Sequence, residues 1–121
     1  MFSLDLKGGV PLYEQLYSRI SELIASGALE EDDKLPAVRE VAKDLGINPN
    51  TVQKAYRNLE KDKLTYSVPA RGSYVAKRAQ TINLLRERAL HEFNMAVLAA
   101  VERGLSKDEL HAQINFCKEG M

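Results

Sequence analysis

Cysteine is almost missing from this sequence: Cys117 is the only one in 121 residues, so no intramolecular disulfide can form and a reducing, cytoplasmic setting is expected. Long apolar runs are missing as well. The longest, MAVLAAV at 95–101, falls far short of the roughly 20 residues a membrane span needs. The opening MFSLDLKGGV has neither the basic nor the apolar segment of a secretory leader, so an intracellular soluble protein is expected, with no membrane partner. Chemistry-bearing constellations are equally scarce. The sequence has no phosphate-cradling glycine loop and no Cys-x-x-Cys pair. His91 and His111 fall on different expected helices, and His111 and Cys117 do not share a helical face. Neither a metal centre, a cofactor nor an enzymatic activity is expected.

Net charge is absent too, with 17 basic and 17 acidic residues, but the charges are not evenly spread. Residues 14–33 hold six acids (Glu14, Glu22, Glu30, Glu31, Asp32, Asp33) against the single base Arg19. Residues 36–78 hold nine bases (Arg39, Lys43, Lys54, Arg57, Lys61, Lys63, Arg71, Lys77, Arg78) against four acids (Glu40, Asp44, Glu60, Asp62). A module polarised in this way suits a surface that faces phosphate.

What is present in quantity is helical periodicity. Leu12, Leu16, Ile20, Leu23 and Ile24 form one stripe, with Pro11 suited to the first turn and Gly27 to the position past the end. EEDDKLP, at 30–36, reads as a polar loop. AVREVAKDLG follows as a short helix with Val38, Val41, Ala42 and Leu45 inward and Gly46 closing it in a left-handed conformation. A tight turn leads to a third helix with Val52, Ala55, Tyr56 and Leu59 inward, and LTYSVPARGSYVA then reads as a β-hairpin. Three helices and a hairpin predict a mainly α fold, a winged helix-turn-helix over 1–76. After a composition break at KRAQ, residues 77–121 read as a two-helix tail divided at Gly104.

In that tail Ser106 and Glu109 have the spacing of a capping box, flanked by Leu105 and Leu110 at staple positions. The preceding helix is apolar all round from 95 to 101, so both of its sides are expected to be covered. Leu110, Ile114 and Cys117 are expected on one side and a second copy of the chain on the other. Leu85, Ala89, Phe93, Ala96, Val97 and Ala100 are the candidate dimer seam.

The start of the third helix carries the functional signal. Asn48 suits the N-cap and Pro49 the first helical position. With the buried stripe fixed, Asn50, Thr51, Gln53, Lys54 and Arg57 remain on the other faces. Side-chain amides can bond adenine in a bidentate manner, Thr offers a hydroxyl or a methyl, and Lys reaches guanine or phosphate. In a helix-turn-helix this is the end that enters the major groove. Arg39 is placed to reach a phosphate or a groove edge; Arg71 at the hairpin tip, beside Gly72, is placed to follow the adjacent minor groove or backbone.

The segment LPAVREVAKDLGINPNTVQKAYRNLEKDKLTYSVPARGSYV, with PLYEQLYSRI upstream, resembles the winged-helix domain of the GntR family of bacterial transcriptional regulators. The short tail is similar to that of the YtrA-type subfamily. The resemblance implies DNA contacts from Arg39, Asn48, Asn50, Thr51, Gln53, Arg71 and Gly72, and a homodimer on a pseudo-palindromic operator, often beside transporter operons. Three positions depart from the family pattern. Ala37 stands where Ser is usual and would complete a capping box with Glu40, while Lys63 and Ala70 stand where glycine is usual. The expected function is a homodimeric repressor. Two alternatives are a protein-docking winged helix and a sensor with a small-molecule effector; the tail is too short for a dedicated ligand domain.

Overall fold

Leu16, Ile20 and Ile24 recur at every fourth position, and they form the buried stripe of helix α1 (Leu12–Ser26) in the structure, a computed structural model that describes residues 2–120. Pro11 is its N-cap, one place earlier than its ring geometry suggested, and Gly27 ends it at φ 83°. Leu12 and Leu23 are half-buried at the margins of the stripe. Helix α2 (Val38–Leu45) buries Val41 and Ala42 and closes on Gly46 at φ 67°. There the amides of Gly46 and Ile47 donate back to Lys43 and Ala42, a Schellman closure that turns the chain sharply.

The turn delivers helix α3 (Pro49–Lys61), whose buried residues are Val52, Ala55, Tyr56 and Leu59, the full predicted stripe. The Tyr56 hydroxyl donates to the Pro36 carbonyl at 2.6 Å and so ties α3 to the chain leading into α2. Burial pushes its pKa well above the ordinary tyrosine value, and the charge of Glu40 adds to the effect. On the other side, Tyr17 of α1 donates to Asp62 just past α3.

Strands β1 (Thr65–Val68) and β2 (Gly72–Val75) pair antiparallel, with Tyr66 opposite Tyr74 and their rings stacked at 5.7 Å. The segment read from sequence as a polar loop does more than connect. Asp32 donates to Val75, Val75 to Asp33 and Leu35 to Ser73, each at 2.8 Å, and Lys34 bridges Tyr74. Residues 32–35 therefore run along β2 and join the two-stranded sheet through one isolated antiparallel bridge. This pairing uses backbone groups only, so charged side chains on this edge do not oppose it. Leu35 alone turns inward, at 2 % exposure. With Leu64 and Val75 it joins the helical core, completing a winged helix-turn-helix.

The chain divides into two compact units, one ending at Leu84 and the other beginning at Leu85. Helix α4 (Arg78–Glu102) starts inside the first. The composition break at KRAQ and the end of this unit are thus different places, because Thr81 is buried and Arg78 bonds to α1.

In the second unit, α4 closes on Gly104 at φ 97° and helix α5 (Lys107–Glu119) opens with the predicted capping box between Ser106 and Glu109. No residue from 85 to 120 is buried. The expected cover of α4 by α5 is corrected in part: Leu110 is half-buried, but Ile114 and Cys117 stay exposed. A single pair of helices has too little facing area to bury residues that lie on all sides of α4.

Candidate nucleic-acid interface

Burial of one face of α3 decides what the opposite face presents. Asn48 is the N-cap, as its position predicts, and its Oδ1 accepts from the Asn50 amide at 2.8 Å. Its carbonyl oxygen is thereby committed to the helix, so Asn48 contributes mainly by shaping the first turn. Asn50, Gln53 and Arg57 are exposed and Thr51 is half-buried. These four occupy the outward side of the helix that a major groove would meet.

Lys54 is placed differently from its neighbours. Its ammonium lies 3.9 Å from the centroid of the Tyr13 ring of α1, a cation–π contact that holds it toward the scaffold. Sequence periodicity could place Lys54 on an outward face but could not reveal this partner, which comes from a helix more than thirty residues earlier.

Arg39 is exposed in the first turn of α2, and neither Glu40 nor Asp44 pairs with it. Lys43 in the last turn of the same helix is exposed too. Arg71 is exposed at the hairpin tip, where its amide donates to Val68 at 2.9 Å and closes a turn led by Pro69. Ala70 occupies the position in this turn that needs positive φ, at 66°. Gly72 follows at φ 121°, with the Lys34 side chain at 3.3 Å from where a Cβ would stand.

The second strained position is Lys63, at φ 63°. It is the left-handed residue of a Schellman closure, its amide donating to Glu60 and that of Leu64 to Leu59. Both departures from the glycine pattern therefore sit where the backbone requires φ above zero. At the third, Ala37 is the N-cap of α2 with no side-chain hydrogen bond.

The gntR family of bacterial regulatory proteins matches residues 12–75, the span from the start of α1 to the end of β2. The chain belongs to this family. It is a transcriptional regulator rather than an enzyme, as its relatives are. The HTH-type transcriptional repressor YtrA of Bacillus subtilis is 32 % identical over 116 residues, which cover 94 % of this chain and 89 % of the relative. A GntR family transcriptional regulator from Listeria monocytogenes superposes with a TM-score of 0.81 at 30 % identity, over 93 % of this chain and 97 % of the other. The DNA-binding domain of AraR, solved in complex with operator ORR3, matches at a TM-score of 0.52 and 32 % identity, over 62 % of this chain and 93 % of that domain. The likeness to YtrA extends past the winged helix into the tail.

The candidate dimer-seam residues lie along α4, with Leu85, Val97 and Ala100 half-buried and Ala89, Phe93 and Ala96 exposed. The apolar exposure of the tail is wider than that row. Leu90, Met95, Leu98 and Val101 of α4 and Phe116 of α5 are each more than half exposed, Phe116 at 69 %. The all-round apolar composition of 95–101 signalled part of this, whereas Leu90 and Phe116 lie outside that run.

Proposed function

We propose that this chain acts in the cytoplasm as a homodimeric repressor of a bacterial operon, reading a pseudo-palindromic operator with α3. The observation that carries the reading is the division of α3 into two faces. One is wholly buried; the other presents Asn50, Gln53 and Arg57 to solvent, with Thr51 half-buried at its margin. Amide and hydroxyl groups in this row supply base discrimination. Arg39, Lys43, Arg57 and Arg71 supply phosphate contacts, and the free amides at the start of α2 add a further phosphate site. The complex of AraR with its operator and the description of YtrA as a repressor support this assignment. The uncovered apolar residues of α4 support pairing, since large apolar side chains left exposed together on one helix mark an interaction surface. An effector, if one acts here, would shift the angle between the paired protomers.

Titration of the gene's upstream DNA at two salt concentrations tests the reading. Four phosphate-neutralising bases per protomer give a slope of log K against log salt of about −7 for a dimer. Asn50→Ala is expected to flatten sequence preference, and Arg71→Ala to weaken all sequences alike. Salt-insensitive binding, or two variants that bind like the parent, would exclude it.

A further inference from the structure

With Val52, Ala55, Tyr56 and Leu59 buried and each residue turning the helix by about 100°, Asn50, Gln53, Lys54 and Arg57 of α3 all point away from the core. Lys54 follows Asn50 at the i, i+4 spacing that sets two side chains next to each other. By position it should reach over the same bases. Its ammonium is elsewhere, 3.9 Å from the centroid of the Tyr13 ring. The ring is itself held in place. Helix α1 packs on α3, with Leu16 and Ile20 of one and Val52, Ala55 and Leu59 of the other fully buried. Tyr17, one turn after Tyr13, donates to Asp62 just past α3. Gln15 pins the chain that enters α1 through its bonds to Asp5 and Val10. The Tyr13 hydroxyl is engaged with Glu14 at 3.1 Å, so it is the ring that meets the ammonium.

We propose that Tyr13 is a positioning residue that sets operator specificity by holding Lys54 off the base edges beside Asn50. The proposal rests on the operator-reading function argued above. A lysine left free at this place is drawn to guanine, whose O6 and N7 are neighbouring acceptors in the major groove. Held against the ring, the same charge still attracts the duplex but reads none of it. Tyr13 thereby separates attraction from choice, two effects that a lysine on a reading face would otherwise combine. Choice is left to the amides and hydroxyl of Asn50, Thr51 and Gln53. A cation–π contact at an exposed site biases a side chain by a factor of about two to five, enough to decide a base preference.

The test is selection by the full-length chain from a randomised duplex library, with base frequencies read at each position of the half-site. Tyr13→Leu should select a half-site that differs from the parent's by about a two- to fivefold gain of guanine at one position. Tyr13→Phe, which keeps the ring and loses only the hydroxyl, should select as the parent does. Lys54→Met should weaken binding to every sequence alike and keep the parent's half-site; added to Tyr13→Leu, it should abolish the guanine gain. A Tyr13→Leu half-site identical to the parent's, a gain shared by Tyr13→Phe, or a gain that survives Lys54→Met overturns the inference while the functional reading stands. A parent that selects no sequence overturns both. Should Tyr13→Leu not fold, Lys54→Met decides. A half-site kept intact supports the inference, and a guanine lost from it shows that Lys54 already reads bases and overturns it.

Discussion

Replacing Ala37 by serine should stabilise the winged helix, and the chain carries its own standards for how much. Ala37 holds φ −61° and ψ 144° at the N-cap of α2, without a side-chain bond. Asn48 holds φ −66° and ψ 130° at the N-cap of α3, and Ser106 holds φ −84° and ψ 163° at that of α5; both accept a first-turn amide. A serine at 37 therefore needs no backbone adjustment to accept from the Glu40 amide. Glu40 occupies the third helical position, from which its carboxylate can return a bond to the residue-37 amide, as Glu109 does for Ser106. An N-cap hydroxyl contributes about 1 kcal/mol over alanine. Helix α2 spans only eight residues and buries two, so little packing masks the gain. In a unit of this size, 1 kcal/mol raises Tm by about 4–8 °C. Thermal unfolding followed by far-UV circular dichroism measures the shift. Adding Glu40→Ala to the serine variant should remove the part of the gain due to the returned bond. An unchanged or lower Tm for Ala37→Ser would refute the reasoning and show that the start of α2 is satisfied in another way.

Lys63→Gly should stabilise by about 0.5–1 kcal/mol, because a side chain in the left-handed region carries a steric cost that glycine escapes. Gly46→Ala, at φ 67° in an equivalent closure, should lose about as much, and urea midpoints of the two variants check the pair. Tyr56→Phe should cost about 1 kcal/mol near neutral pH through loss of the bond to Pro36. The same variant should change the alkaline limb of stability. Since Tyr56 is raised above the ordinary 10.0 in the folded chain, its contribution is complete below that pH and is lost above it, as the unfolded chain ionises first. Urea unfolding at neutral and at strongly alkaline pH should therefore show a smaller alkaline loss for Tyr56→Phe than for the parent; equal losses would contradict the burial of this hydroxyl.

Legibility differs between elements for physical reasons. The α3 stripe, the Asn48 cap, the left-handed Gly46 and the Ser106–Glu109 box are readable because each is a local pattern with a local cause. The positive φ of Lys63 and Ala70 is readable only against a family pattern, since neither residue type announces it. The Asp32 backbone, at φ 65°, carries no such signal at all. What escapes a sequence reading is contact between distant segments. The amino-terminal arm is one case: Gln15 receives the Asp5 amide at 2.7 Å and donates to the Asp5 and Val10 carbonyls, while Phe2 is buried. Lys54 over Tyr13 and Arg78 on α1 are others. In each, a polar side chain that reads as wet surface finds its partner through the tertiary fold. The candidate interface is legible in composition but not in division of labour: Asn48 is taken by the cap and Lys54 by an aromatic ring, which under the proposed function would leave discrimination to Asn50, Thr51 and Gln53.

Under the proposed function, the zero net charge of the chain is no obstacle to reading an operator. Uniform positive charge would strengthen attraction to every duplex and add nothing to the difference between sequences. Here six acids fall on residues 14–33 against one base, and Glu40 is the acid in the first turn of α2, whereas the first turn of α3 has none. The nine bases of residues 36–78 are available for phosphate affinity, and under the proposed function a homodimer would owe its choice of operator to base contacts and to the pairing of two half-sites rather than to charge.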